Sequence, residues 1–456
     1  MLGLCGLMVG GWSFARGQTA TTVGEQGPDE YHMTATLGMR NNSNVHFEEG
    51  SSQGDYISTL GLALWMRRHS PRTAWSLNYR PIFNHYLQFS ELDSMSQAFD
   101  GNADYRLTER VRFQLRETFS LSRDPIIVAT PQTGDSPVLT ETDNDKRWRN
   151  NSGMNLIQDL SPRLSWGIGG VYYANRYENP ELSDNNGVIG SLNLNSSIGT
   201  NSFLSGTYSP GFVTFYPSGE PAFNPNPCTN AIPPDQTITE VVGQTEGSTA
   251  HQLGLSWRHA QGGVRPSIPD ASEPATTTVS LAGNWEVDVS AGASLVDQHE
   301  RSFTRNTVCQ AGQIVSATTE ETGNIQENQK LFVGRAGLRR SFQHVDIDGA
   351  YQRRLTADTG ADAVTVGDFV YANLGARVGR RFTYGLGVDY STRKSLAGAA
   401  TTVDITSEGV SLRGGVAVTD WFGLNAIADY RQQKNDGDPD TQNVVNYFLG
   451  MTFRIF

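Results

Sequence analysis

Along most of this chain, apolar residues fall at every second position over stretches of about ten to fifteen residues, broken by polar gaps. Residues 443 to 456 show the pattern most cleanly. Val445, Tyr447, Leu449, Met451, Phe453 and Ile455 make one apolar file, with Asn446, Gly450, Thr452 and Arg454 opposite. A strand so patterned has one face for an apolar medium and one for water. The same alternation runs through Met33, Ala35, Leu37 and Met39, through Leu60, Leu62, Leu64 and Met66, and through Trp285, Val287, Val289, Ala291, Ala293 and Leu295. About eighteen such stretches can be counted, within a range of 16 to 20.

The gaps come in two lengths. HSPR (69 to 72), LTER (107 to 110), LSPR (160 to 163), GTNS (199 to 202), RRSF (339 to 342), GRRF (379 to 382) and TDWF (419 to 422) are short. Segments 122 to 146, 217 to 246 and 298 to 327 are long, polar and read as loops. Tight turns on one side and long loops on the other predict an all-β fold: a transmembrane antiparallel β-barrel over residues 31 to 456, with short periplasmic turns and long extracellular loops. Two places resist the pattern. Glu117 falls on the apolar file between Leu115 and Phe119, which predicts a bulge there or a position near the outer headgroups. Residues 259 to 275 are irregular, and form either a long periplasmic turn or a sign of one miscounted strand pair.

Composition agrees with a barrel. No run of 18 apolar residues occurs and mean hydropathy is −0.41, which excludes a bundle of membrane-spanning helices but not a wall in which alternate residues meet lipid. A soluble β-sandwich is the alternative, and it seldom needs so many aromatic residues beside short turns. A formal net charge of −12 argues against a nucleic-acid partner. Residues 1 to 17 read as a signal peptide, truncated at its start because no basic segment precedes the apolar run, with cleavage before Gln18; residues 18 to 30 then form a short periplasmic segment. Cys5 is lost with the signal. Cys228 and Cys309 remain, at a spacing that suits no zinc ribbon; in an exported chain their simplest use is one disulfide joining consecutive long outer loops.

No phosphate-binding loop, nucleophile elbow or metal-ligand cluster is present, so no catalytic residue, metal or cofactor is expected. The informative charges sit on the face opposite the apolar files: Arg80, Arg112, Arg116, Arg149, Arg335, Asp346, Asp348, Arg377, Asp389, Arg413, Asp429 and Arg431. If the apolar files meet lipid, these twelve line the lumen, which is then polar and mixed in sign. At about eighteen strands, wall side chains cannot fill the bore, so a water channel or an inward-folded plug is implied.

The closing strand at 443 to 456 resembles the last strand of bacterial outer-membrane barrels. The units QAFDGNADYRLTERVRFQLRETFSLSRDP (97 to 125) and LIQDLSPRLSWGIGGVYYANRYE (156 to 178) resemble the outer-membrane β-barrel porins encoded with exopolysaccharide genes. That resemblance implies residence in the cell outer membrane, assembly by the barrel-assembly machinery, and passage of a secreted exopolysaccharide with help from periplasmic polysaccharide-export proteins. It carries over no functional residue. A general diffusion porin for small hydrophilic solutes is the alternative, followed by a rim-active enzyme or a structural or adhesive barrel.

Overall fold

The computed structural model describes residues 29–43, 53–122, 146–178, 184–199, 201–216, 235–260, 285–310, 313–342, 344–356, 365–379, 381–395, 404–435 and 441–455. The signal segment and most of residues 18 to 30 lie outside them. The first nine strands are β1 (Glu30–Asn42), β2 (Asp55–His69), β3 (Thr73–Tyr86), β4 (Ser94–Arg106), β5 (Val111–Ser122), β6 (Arg147–Ser161), β7 (Leu164–Tyr177), β8 (Asp184–Ser197) and β9 (Ser202–Tyr216). Nine more follow: β10 (Asp235–Ala260), β11 (Trp285–Gln310), β12 (Gln313–Ser341), β13 (Val345–Thr356), β14 (Thr365–Val378), β15 (Phe382–Ser395), β16 (Asp404–Ala417), β17 (Phe422–Asn435) and β18 (Thr441–Arg454). Each pairs antiparallel with the next. β18 returns to β1, from Thr34↔Arg454 to Asn42↔Asn446, so the wall closes as an 18-stranded barrel. Closure leaves no open sheet edge within the wall, which is what lets strands sit in hydrocarbon.

The short gaps fall where one strand passes to the next, except that RRSF lies mostly in β12, which stays paired to Ser341 so that the turn begins at Phe342; three of the turns share one device. The hydroxyls of Thr108, Ser161 and Thr419 each accept the backbone N–H groups two and three residues on, at 3.0 to 3.3 Å. A short hydroxyl side chain thereby replaces the partners that a tight turn strips from the backbone. Gly199 and Gly379, at φ 85° and 62°, supply the left-handed residue in two others.

The two faces divide as the alternation predicts. On β18, Tyr447, Leu449 and Met451 are 56, 68 and 44% exposed, whereas Asn446, Phe448 and Thr452 are buried on the concave side. Phe448 breaks the polar face. Its ring lies over Gly38 and Gly450, two positions where a side chain would collide with it. Aromatic residues gather at both rims: Trp421, Phe422 and Phe453 stack at the short-turn side, and Tyr56, Tyr390 and Tyr430 stand exposed towards the other.

Three expectations change. Segments 235 to 246, 298 to 310 and 313 to 327 are not loops: they belong to β10, β11 and β12, which run 26, 26 and 29 residues where the other strands run 12 to 15. Among the described residues, β10 beyond Gly247 no longer pairs with β9, and β12 beyond Gly334 no longer pairs with β13, so these three strands continue as a narrow sheet past the rim. A register shift between Thr245 and Gly247 marks the departure. Cys309 consequently sits in β11, opposite Gln236 and Ile314, while Cys228 lies outside the described residues. Second, no bulge rescues Glu117. Gly101↔Glu117 and Glu117↔Ser152 lie in unbroken register halfway along β5. Third, β10 and β11 pair directly, with Ala260 opposite Glu286, so no strand pair is missing around 259 to 275; residues 261 to 284 themselves lie outside the described residues.

Candidate transport lumen

All twelve charged residues singled out from the sequence lie on the strand face opposite the exposed apolar files, and the fold gathers most of them into three groups along the inner wall. On β3 to β6, Arg80 Nη2 meets Asp100 Oδ2 at 2.7 Å, Arg112 reaches Asp159 at 3.8 Å, and Gln114 donates to Asp104 at 2.9 Å. Arg116 is exposed on the same face, and Arg149 follows on β6.

On β10 to β14, towards the short-turn side, Arg258 and Glu286 pair at 2.6 Å and Arg335 and Asp288 at 3.1 Å. Arg335 also reaches across β13 to the Tyr371 hydroxyl at 3.5 Å. Asn373 donates to Asp348 at 3.3 Å, and Arg339 stands opposite Asp348 in register. With Asp346 and Arg377 on the same faces, this stretch carries as many acids as arginines.

The third group occupies β15 to β17. Arg431 grips Asp389 through two bonds of 3.1 Å and gives a third, of 2.9 Å, to Ser407. These partners are two strands apart, so the guanidinium must cross over β16, and it does so at Gly409. A Cβ there would stand 2.7 Å from both Arg431 Nη2 and Asp389 Oδ1. Asp429 and Arg413 extend the group towards the short-turn side, where Arg413 Nη2 lies 3.4 Å from Ser411 Oγ. Fork-to-fork pairing of this kind holds long side chains flat against a wall.

Four further arginines join them. Arg40, Arg147, Arg354 and Arg393 are each 9% exposed or less, within three residues of the long-loop ends of their strands. Arg354 and Arg393 flank the Phe369 ring at 4.8 and 5.4 Å from its centroid. Their phase alone would have revealed them, but they stand where an alternating stretch passes into a polar gap, and there strand and loop look alike. With Arg149 and Arg431 they give the long-loop half of the inner wall six arginines. The acids at the same level among the described residues include Asp389, held by Arg431, and Asp55, whose carboxylate accepts the backbone N–H groups of Gln88 and Phe89. Among the described residues the inner wall is therefore graded, with acids and arginines balanced towards the short-turn end and arginines outnumbering acids towards the other, in a chain whose overall charge is −12.

A closed strand wall with an apolar outer belt, aromatic rims and a polar interior is the architecture of proteins that span the bacterial outer membrane. No family model matches the sequence, and no curated protein does. Among solved structures, the chain is similar to the Pseudomonas aeruginosa proteins OccK2 (OpdF), crystallised with glucuronate, the outer membrane protein OpdK and the siderophore receptor PirA. Identities are 11, 8 and 9% and TM-scores 0.43, 0.41 and 0.40, covering 95, 93 and 95% of this chain and 100, 99 and 81% of theirs. Likeness this distant carries no argument about what the chain does.

Proposed function

We propose that the protein is an outer-membrane channel for hydrophilic solutes, and that it favours acidic ones. The observation that carries this reading is the graded inner wall: arginines crowd the outer half of a bore that eighteen strands make too wide for side chains to fill. A cationic mouth concentrates anions ahead of the channel, and the ion-paired stretch beyond it offers many exchangeable hydrogen-bond partners without one deep binding site. Small acidic solutes and the uronate units of a secreted polysaccharide share this chemistry. Passage of an exopolysaccharide is the second reading. It is favoured by the resemblance of the LTER and LSPR units, and would need periplasmic partners to drive it.

Reconstitution in planar bilayers tests the proposal. The purified barrel should conduct, with a reversal potential in a salt gradient that reports anion preference. Replacing Arg354 and Arg393 with Gln should move that potential towards zero, with folding checked by the faster migration of the unheated barrel in detergent gels. A folded barrel that conducts no ions, or whose selectivity ignores both substitutions, would sink the reading. Secretion of polymer by a strain lacking the gene separates the two solute classes.

A further inference from the structure

One flank of the outer wall departs from the apolar belt in three ways, none of which a channel requires. Glu117 faces outward halfway along β5. It stands in a row with Gly101, Ser152 and, one strand further, Tyr172, while Asn150 donates to Ser152 at 3.3 Å. Comparable mid-strand outward positions elsewhere, Leu374, Leu386 and Leu412, are leucines. Five strands on, β10 exposes His251, its Nδ1 2.9 Å from the Tyr208 hydroxyl. Beside that pair runs a groove of about 620 Å³, lined by the small residues Gly206, Ala291 and Ala293 among leucines of β8 and β10.

We propose that this flank, β4 to β11, is where a second copy of the protein docks, Glu117 of one copy meeting His251 of the next. A carboxylate midway across the acyl-chain layer is unfavourable unless protein covers it. An imidazole on a like surface is its natural complement, since it can carry the opposite charge or share the proton. Each copy presents one of each, at places about a quarter of the circumference apart. The contact is therefore head to tail, and repetition closes a small ring. The groove explains how the walls approach: its small residues leave room for Leu115 and Met154, which stand 43 and 58% exposed beside Glu117.

A photo-reactive residue introduced at Ser152 in the full-length protein in native membranes tests this directly. Irradiation should give a ladder of multiples of one chain, with the cross-link mapping near His251. Glu117→Leu and His251→Leu should each weaken assembly in mild detergent by at least about tenfold, and exchanging the two residues should restore it. Glu117→Gln, which keeps size and hydrogen bonding, guards against a folding defect and should give an intermediate loss. Cross-links to lipid or to a different protein, or a ladder that survives both leucine variants, would overturn the proposal. Either outcome leaves the conductance measurement untouched.

Discussion

Gly409 is the residue on which the Arg431–Asp389 pair depends, because the two side chains close over a position that cannot bear a Cβ. Gly409→Ala should force them apart and lower stability by roughly 1–3 kcal/mol, as overpacking and a loosened buried ion pair both predict. Denaturant unfolding of the refolded barrel measures this, and an unchanged midpoint would show that the pair tolerates the displacement. A second residue acts outside the wall. In the link from β3 to β4, Asp93 accepts the Tyr86 backbone N–H at 2.8 Å and faces His85 Nδ1 at 2.7 Å. Those hydrogen bonds, the backbone one foremost, hold its carboxyl below the usual aspartate value of 3.8. A carboxyl so depressed stabilises above its unfolded pKa, and that contribution disappears as pH falls through the lower folded value. Hydrogen exchange at Tyr86 should therefore stay protected at neutral pH and lose protection below about pH 4. Asp93→Ala should lose it at every pH; protection that persists into strong acid would refute the anchor.

The projecting strands of β10 to β12 are separable from the wall by the same logic that makes them conspicuous. Beyond Gly247 and Gly334 they pair only with one another among the described strands, and their contour adds roughly 35–40 Å at about 3.3 Å per residue. Replacing residues 300 to 327 with a two-residue turn should leave the heat-modifiable barrel and its conductance intact; failure to assemble would show that the projection nucleates the wall. This is also where sequence reading reached its limit. Alternation placed the short turns to within a few residues and the number of strands, because each wall strand separates lipid from water. Past the rim both faces meet water, and DQTITEVVGQTEG and SATTEETGNIQENQ lose the period that marks a strand. The bond from Arg431 on β17 to Asp389 on β15 was hidden for another reason: register across a skipped strand is a property of closure, not of local pattern.

For the molecule as a whole, formal charge and working charge have opposite signs. The −12 of the chain coexists with an arginine-lined outer lumen, so net charge says little about which ions the interior prefers. The class of fold was legible because a barrel repeats one rule eighteen times; the gradient along its axis was not, because it needs the relative heights of residues far apart in sequence. The pairing of β1 with β18 sets a further condition, one of timing. Ser43 accepts the Val445 N–H across 402 positions, and every pair along that seam is comparably remote. Until β18 is delivered, β1 and β17 each keep an exposed edge with unpaired backbone groups, and such edges recruit other strands. The wall therefore cannot close while it is being made. Every strand must be present before the seam forms, which makes shielding of the unpaired edges until then, rather than speed of folding, the condition that governs its yield.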